Sequence, residues 1–301
     1  MSSNTTYRPA DFSGVVGNQT TIESLESLLA SKDPAHAIMF FGPAGCGKTT
    51  LARIVSSKLG CSDFDFKEIN VSDNRGIDTA RDIINTSFLR PMAGKVKVYL
   101  LDEVHKATPE FQNAMLKILE EPPAHVFFIL CTTEPEKIIA TVRSRCIQYS
   151  VNPLGAKKIK RLVSDIAEKE GVKISDSTLA MIGDECGGSP RSALLMYDKI
   201  KGLPENKQIE MIEEVKKTQN SLFELCKALL DGKEWKIVST IIQGIEDEPE
   251  KVRRSVLGYM GKVLLNPKPN IRAAAIIECF QDNYYDTGRT GLIFSCFQAC
   301  N

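Results

Sequence analysis

The clearest chemistry in this sequence sits in one short run. Gly42-Pro43-Ala44-Gly45-Cys46-Gly47-Lys48-Thr49, continued by Thr50, follows the spacing G-x-x-x-x-G-K-[ST] of a phosphate-binding loop. Glycines let backbone N–H groups close around phosphate oxygens, a helix starting there points its positive end at them, and Lys48 reaches the outer phosphates. Thr49 would hold Mg²⁺. A second, acidic pole appears at the end of the apolar run VKVYLL, where Asp102 and Glu103 emerge side by side. Asp102 would bind the Mg²⁺ shell and Glu103 would polarise the attacking water, because phosphoryl transfer asks a protein mainly for positioning and charge stabilisation.

Two further positions extend the constellation. Thr132 and Thr133 follow the apolar run VFFIL, at the edge where open parallel sheets bind ligands. A hydroxyl there could orient the water, or threonine could simply end a strand. Ser189 and Pro190 read as an N-cap and a first helical residue, which puts Arg191 in the first turn. The helix dipole disfavours a cation there, so an anion is expected nearby, either a γ-phosphate or an acidic side chain.

The elements that must hold these residues can be read from hydrophobic pattern. Strands are expected at AIMFF, FKEINV, VKVYLLDE and HVFFILCTT, with helical patterns between them; Leu51, Ile54, Val55 and Leu59 line one side of the helix after the glycine loop. Alternating strands and helices imply a mostly parallel sheet covered on both faces. After about Val151 the strand signal stops and amphipathic helices follow: AKKIKRLVSDIAEKE, DSTLAMIGDEC and PRSALLMYDKI. KGLPENKQ combines breakers and polar residues and is the candidate boundary before a last helical array. Ser221 with Glu224 reads as a capping box opening the next helix. The expected domains are therefore residues 1–150, 151–204 and 205–301.

With 301 residues, two or three domains fit the length. No stretch approaches the roughly 20 apolar residues of a membrane span, and the polar start MSSNTTYRPADF lacks a secretory core, so no membrane partner and a cytoplasmic or nuclear location are expected. Nine cysteines occur without any Cys-x-x-Cys and beside only three histidines, which excludes a zinc ribbon or disulfide framework by spacing. Basic and acidic residues balance at 38 each, so any nucleic-acid contact must be local.

Together these residues resemble clamp-loader ATPase subunits, both the bacterial tau/gamma chain and the replication factor C small subunits, over roughly the first 200 residues. YRPADFSGVVGN looks like the family's opening motif, where the chain folds over adenine; Tyr7, Arg8, Pro9, Val15, Val16 and Gly17 fall on it. EINVSDNRGID is similar to a replication factor C element, and DEVHKATPEFQNAMLKILEEPP to the bacterial chain. Ser144-Arg145-Cys146 matches the SRC signature. The resemblance implies an α/β P-loop AAA+ domain, a small helical lid and an all-helical C-terminal collar. It also implies ATP with Mg²⁺ as cofactors, and as partners the other subunits of a ring, pentameric in this family, a sliding clamp and primer-template DNA.

By the same resemblance Arg145 is an arginine finger supplied in trans to the neighbour's ATP, Thr132 falls on sensor 1 and Arg191 on sensor 2. Arg75 and Arg81, with the helix amides at the start of IDTARDII, match the element that tracks the DNA backbone; a few phosphate contacts per subunit suffice when several subunits act together. The chain departs from bacterial tau/gamma in lacking their zinc module, since residues 59–95 hold only Cys61. The alternatives are another AAA+ DNA motor, for branch migration or replication restart, and a stator that holds the ring without turnover.

Overall fold

The computed structural model describes residues 2–245, 247–266 and 270–300. The chain divides into two compact units, residues 1–205 and 206–301. Along the first unit run α1 (Ser3–Thr6), α2 (Gln19–Leu29), β1 (Ala37–Phe41), α3 (Lys48–Lys58), β2 (Cys61–Asn70), α4 (Ile77–Ser87) and β3 (Val96–Asp102). Then follow α5 (Pro109–Glu120), β4 (Val126–Thr132), α6 (Ala140–Arg143), β5 (Ile147–Ser150), α7 (Ala156–Glu170), α8 (Asp176–Glu185) and α9 (Pro190–Ile200).

The strands form one parallel sheet in the order β2-β3-β4-β1-β5. β1 and β4 are apolar on both faces because helices cover both. Alternation along the strands sends their side chains into two separate cores. Met39, Tyr99, Leu101, Phe128 and Leu130 join Phe111, Met115 and Ile118 of α5 on one face. Ile38, Phe40, Leu100, Ile129 and Cys131 join Leu25 of α2 and Leu51, Ile54 and Val55 of α3 on the other. Each such fully buried side chain stabilises the fold by about 1.5–3 kcal/mol. Parallel pairing brings the C-terminal ends of β1, β3 and β4 to one edge, which collects Gly42, Asp102 and Thr132 there.

In the first unit two sequence expectations change. The strand expected at FKEINV starts earlier, at Cys61, and a fifth strand, Ile147–Ser150, lies parallel to β1. It is short and its first two residues are exposed, so it carries little hydrophobic signal. The turn after α4 is also built tightly. Buried Asp65 accepts from the backbone N–H of Met92, Ala93 and Gly94 at 2.5, 3.0 and 2.6 Å and from the Ser62 hydroxyl at 2.6 Å. Burial alone would raise the Asp65 carboxyl; these four donors outweigh it and hold the group well below the usual carboxylate range.

The second unit carries α10 (Glu205–Leu230), α11 (Trp235–Gln243), α12 (Pro249–Leu264), α13 (Ile271–Cys279) and α14 (Gly288–Cys300). Leu225, Leu229, Val238, Val252, Val256, Met260, Ile276, Phe280 and Cys296 form its core. The helix start expected at Ser221 and Glu224 does not occur: α10 runs unbroken through both residues. Neither glycine nor proline interrupts residues 205–230, so a Ser-x-x-Glu spacing inside it has no terminus to cap. Glu250 ties this unit together, accepting from Arg253, Arg254 and the Tyr284 amide. Among the described residues no helix is long and apolar enough to cross a membrane.

Candidate active site

β1 ends at Phe41 and the chain turns sharply before α3. Gly42 has φ +147°, and a Cβ there would sit 2.2 Å from the Val151 carbonyl oxygen. Gly45 has φ +74°, and a Cβ there would sit 2.3 Å from Ser189 Oγ and 3.1 Å from Arg191 Cβ. Both positions therefore require glycine, for conformation and for space. Lys48 is buried, and its ammonium donates to the carbonyls of Gly42 and Pro43 at 2.8 and 2.9 Å. These bonds fold the loop around its own lysine, with the N-terminus of α3 beneath it.

The acidic pole meets this loop directly. The Thr49 hydroxyl donates to Asp102 Oδ2 at 2.9 Å, and Asp102 Oδ1 accepts from the Glu103 amide at 2.9 Å. A hydroxyl and a carboxylate oxygen so placed are a donor set suited to Mg²⁺, which prefers oxygen ligands and keeps several waters. Glu103 has φ +54°, in the left-handed region. For a non-glycine residue that conformation costs about 1–2 kcal/mol and must be held by its surroundings. It reverses the chain after β3 and tucks Val104 and His105 inside.

His105 links the remaining groups. Its side chain is 3 % exposed; Nε2 lies 3.3 Å from Glu103 Oε2 and 3.2 Å from Glu134 Oε1. Nδ1 lies 3.2 Å from the hydroxyl of fully buried Thr132, which also accepts from the Glu134 amide at 3.0 Å. Lys137 pairs with Glu134 at 2.7 Å and, chiefly through that hydrogen bond, holds its carboxyl below the usual range. His105 and Glu134 were missed from sequence. The signal was faint: one histidine three residues after Asp102, meaningful only once β3 and β4 are known to be neighbours.

A cavity of about 670 Å³ opens between these elements and α7 and α9. Tyr7, Arg8, Pro9, Val15, Val16 and Gly17 line it, as do residues 44–50, Asp102, Glu103 and Arg191. Its walls divide by chemistry. Pro9, Val15, Val16, Leu162 and Leu194 supply apolar lining, while the glycine loop, Lys48 and Arg191 supply donors and positive charge. Burial, then repulsion from Arg53 and later Arg191, pushes the Arg8 guanidinium below its ordinary value. Burial pushes the Cys46 thiol up, so it stays a neutral part of the loop wall. Ser189 caps α9 by accepting from the Ser192 amide, and the Arg191 amide donates to the Gly45 carbonyl at 3.4 Å. Among the described residues Arg191 forms no ion pair, which leaves its charge facing the cavity.

The other expected residues lie apart. Thr132 is not a lining residue of the cavity: its hydroxyl meets His105, which in turn approaches Glu103; Thr133 follows it in the turn after β4. Arg145 follows α6 and is not a lining residue of the cavity. Its Nε and Nη2 donate to Glu120 Oε2 at 3.1 and 2.5 Å, and its Nη1 to the Thr141 carbonyl at 2.8 Å. Arg75 and Arg81 are exposed at the start of α4, whose N-terminus has no side-chain cap; Arg81 pairs with Asp78 at 3.2 Å.

Similarity to known proteins points the same way. Residues 62–155 match the family described as DNA polymerase III, delta subunit. The chain is 35% identical over 217 residues to DNA polymerase III subunit gamma/tau of Mycobacterium tuberculosis, covering 64% of this chain and 38% of that protein. It is 30% identical over 239 residues to DNA polymerase III subunit gamma of Buchnera aphidicola subsp. Baizongia pistaciae, covering 72% and 64%. It is 34% identical over 214 residues to DNA polymerase III subunit tau of Bacillus subtilis, covering 64% and 38%. The chain thus spans about 38% of the length of the first of these relatives. In fold it is similar to the Thermotoga maritima RuvB Holliday junction branch migration motor, with a TM-score of 0.60 at 18% identity over 80% of this chain and 86% of that one. The fold is a parallel five-stranded sheet flanked by helices, with a phosphate-binding loop between β1 and α3 and further helices toward the C-terminus.

Proposed function

Starting from homologues among the gamma and tau subunits of bacterial DNA polymerase III, we propose that this chain is an ATP-hydrolysing subunit of a clamp loader, which opens a sliding clamp and places it on primer-template DNA. The observation that carries the reading is the bond between Thr49 and Asp102 beside Glu103, all three lining a cavity that also presents apolar side chains, Lys48 and Arg191. Val15, Val16 and Pro9 take the base, the loop amides and Lys48 take the phosphates, and Arg191 faces the terminal one. Thr49 and Asp102 hold Mg²⁺, whose chemistry there is to neutralise charge on the phosphates. Glu103 orients the attacking water.

Arg145 acts on the neighbouring subunit's nucleotide. Three of the five N–H donors of its guanidinium are used by Glu120 and Thr141, which leaves two to reach outward. A finger of this kind contributes about 10³–10⁵ in rate, so turnover depends on assembly into a ring. Residues 1–150 form the motor, 151–204 the lid and 205–301 the collar. Arg75, Arg81 and the uncapped start of α4 meet the DNA backbone. The clamp meets the turn after α4, where Phe88, Leu89 and Met92 are 64, 61 and 84% exposed. That turn is stiff as well as apolar: buried Lys97 bonds the Thr86 and Leu89 carbonyls, His125 bonds those of Ser87 and Leu89, and Asp65 holds the amides beyond.

Because RuvB similarity is at 18% identity it speaks for the fold alone. The deciding experiment is steady-state ATPase of the assembled ring with and without primed DNA and clamp, together with its native mass. Hydrolysis stimulated by both, and lost in Glu103→Gln with nucleotide binding retained, is the expected result. Full-speed hydrolysis by a monomer indifferent to clamp and DNA refutes it.

A further inference from the structure

We propose that Asn18 is a positioning residue that fixes where Arg191 stands relative to the phosphate loop, by confining the joint between the sheet and α7–α9 to one backbone dihedral, ψ of Pro153; this rests on the reading of Arg191 given above. The chain leaves β5 firmly held. The Thr21 hydroxyl donates to the Ser150 carbonyl at 3.0 Å, and the Val151 amide donates to the Phe41 carbonyl at 2.8 Å. The Asn18 side chain then holds the next residue from both sides. Its Oδ1 accepts from the Asn152 amide at 2.8 Å and its Nδ2 donates to the Asn152 carbonyl at 3.2 Å. Two residues later the attachment passes to the other side of the joint, where the Leu154 amide donates to the carbonyl of Gly188, in the turn between α8 and α9, at 2.9 Å.

Each of these bonds fixes a peptide plane, and between two successive planes the backbone has only φ and ψ to turn. The plane joining Asn152 to Pro153 is held to the sheet side by Asn18, and the plane joining Pro153 to Leu154 is held to the turn before α9 by Gly188. The proline ring locks the φ between them at about −65°. That leaves ψ of Pro153. Gly188 stands three residues before Arg191 and packs on the joint itself: a Cβ there would lie 2.7 Å from the Leu154 carbonyl oxygen and 2.7 Å from Pro153 Cβ. Turning ψ therefore moves the root of α9, whose Arg191 amide stands 3.4 Å from the Gly45 carbonyl oxygen. The joint also borders the cavity. Leu154 is buried, lines the cavity, and packs so closely on Gly17 that a Cβ there would lie 2.4 Å from Leu154 Cδ2.

Asparagine suits position 18 for two reasons. Its backbone is left-handed at φ +51°, which asparagine adopts more readily than most residues, and its amide supplies both the acceptor and the donor that Asn152 uses. Asn18 is also the N-cap of α2, a position where asparagine is a favoured capping residue, yet its side chain makes no cap bond. The amide serves the joint instead.

Asn18→Gly keeps the left-handed backbone, costs little as an N-cap and removes both bonds to Asn152. In the assembled ring with DNA and clamp it should lower kcat about tenfold, the scale of two hydrogen bonds, with KM for ATP within about threefold of wild type and faster hydrogen exchange at the Asn152 amide. Pro153→Gly frees the locked φ while sparing Asn18 and should lower kcat in the same way. Arg191→Ala alone should lower turnover, and adding Asn18→Gly to it should cost nothing more, because no guanidinium is left to misplace. An unchanged kcat in Asn18→Gly, or an equal loss with and without Arg191, refutes the positioning role while the loss in Arg191→Ala leaves the reading of Arg191 standing. Unchanged turnover in Arg191→Ala overturns that reading and this proposal with it.

Discussion

Gly45→Ala tests how the phosphate loop is joined to the helix that carries Arg191. The new Cβ meets two separate penalties. At φ +74° an alanine is strained by about 1–2 kcal/mol. It would also lie 2.3 Å from Ser189 Oγ, so that hydroxyl must turn away and give up its bond from the Ser192 amide. Losing an N-cap costs about 1 kcal/mol, so the sum is about 2–3 kcal/mol. For a unit of this size each kcal/mol lowers the melting temperature by about 2–4 °C, which predicts a fall of roughly 4–12 °C. Gly47→Ala, at φ +104° with open space around the position, should show strain alone. Ser189→Ala removes both the cap and the colliding oxygen, leaving the Ser189 Cβ at 3.5 Å and the Arg191 Cβ, unchanged by the substitution, at 3.1 Å. The double variant Gly45→Ala/Ser189→Ala should therefore be no less stable than Gly45→Ala alone, a coupling of about 1 kcal/mol in urea denaturation. Additivity within about 0.5 kcal/mol would falsify the contact argument.

Lys48→Ala removes the ammonium that folds the loop and should abolish binding of a fluorescent ATP analogue while leaving the fold intact by circular dichroism. Arg145→Ala, mixed with wild-type subunits, should poison neighbouring sites; a strictly proportional loss of ATPase would remove the trans role. Asp65→Asn replaces an acceptor by a donor opposite buried amides and should cost about 2–4 kcal/mol, with faster hydrogen exchange at Met92, Ala93 and Gly94. Hydrogen bonds from Arg253, then from the Tyr284 amide and Arg254, outweigh burial and hold the Glu250 carboxyl at about 2. Its folded value is depressed, so its contribution is complete above the ordinary glutamate value of about 4.3 and fades as pH falls toward about 2. Glu250→Gln should flatten the acid titration of stability across that window.

The phosphate loop was legible because its chemistry is local: glycines, lysine and threonine act within one strand-turn-helix unit. So were the four longer strands and α7 to α9, whose periodicity is uninterrupted. β5 was missed because four residues, two of them exposed, present no alternation. Ser221 and Glu224 misled because a capping box is defined by spacing, and spacing alone does not reveal that a helix is already under way. His105 and Glu134 were invisible for another reason. Their contact needs the positive φ of Glu103 and the side-by-side placement of β3 and β4, neither of which is written in a short window. The trans role of Arg145 came from resemblance to a family; in the structure its partners are Glu120 and Thr141.

The turn after α4 has a practical corollary. Phe88, Leu89 and Met92 stand in water on a backbone fastened from both sides, so they cannot fold back to hide one another. Purified by itself, the chain should be adhesive. Concentrating it should produce turbidity that added salt worsens and that a mild detergent relieves. Co-expression with a partner able to cover that face would then be the route to well-behaved material.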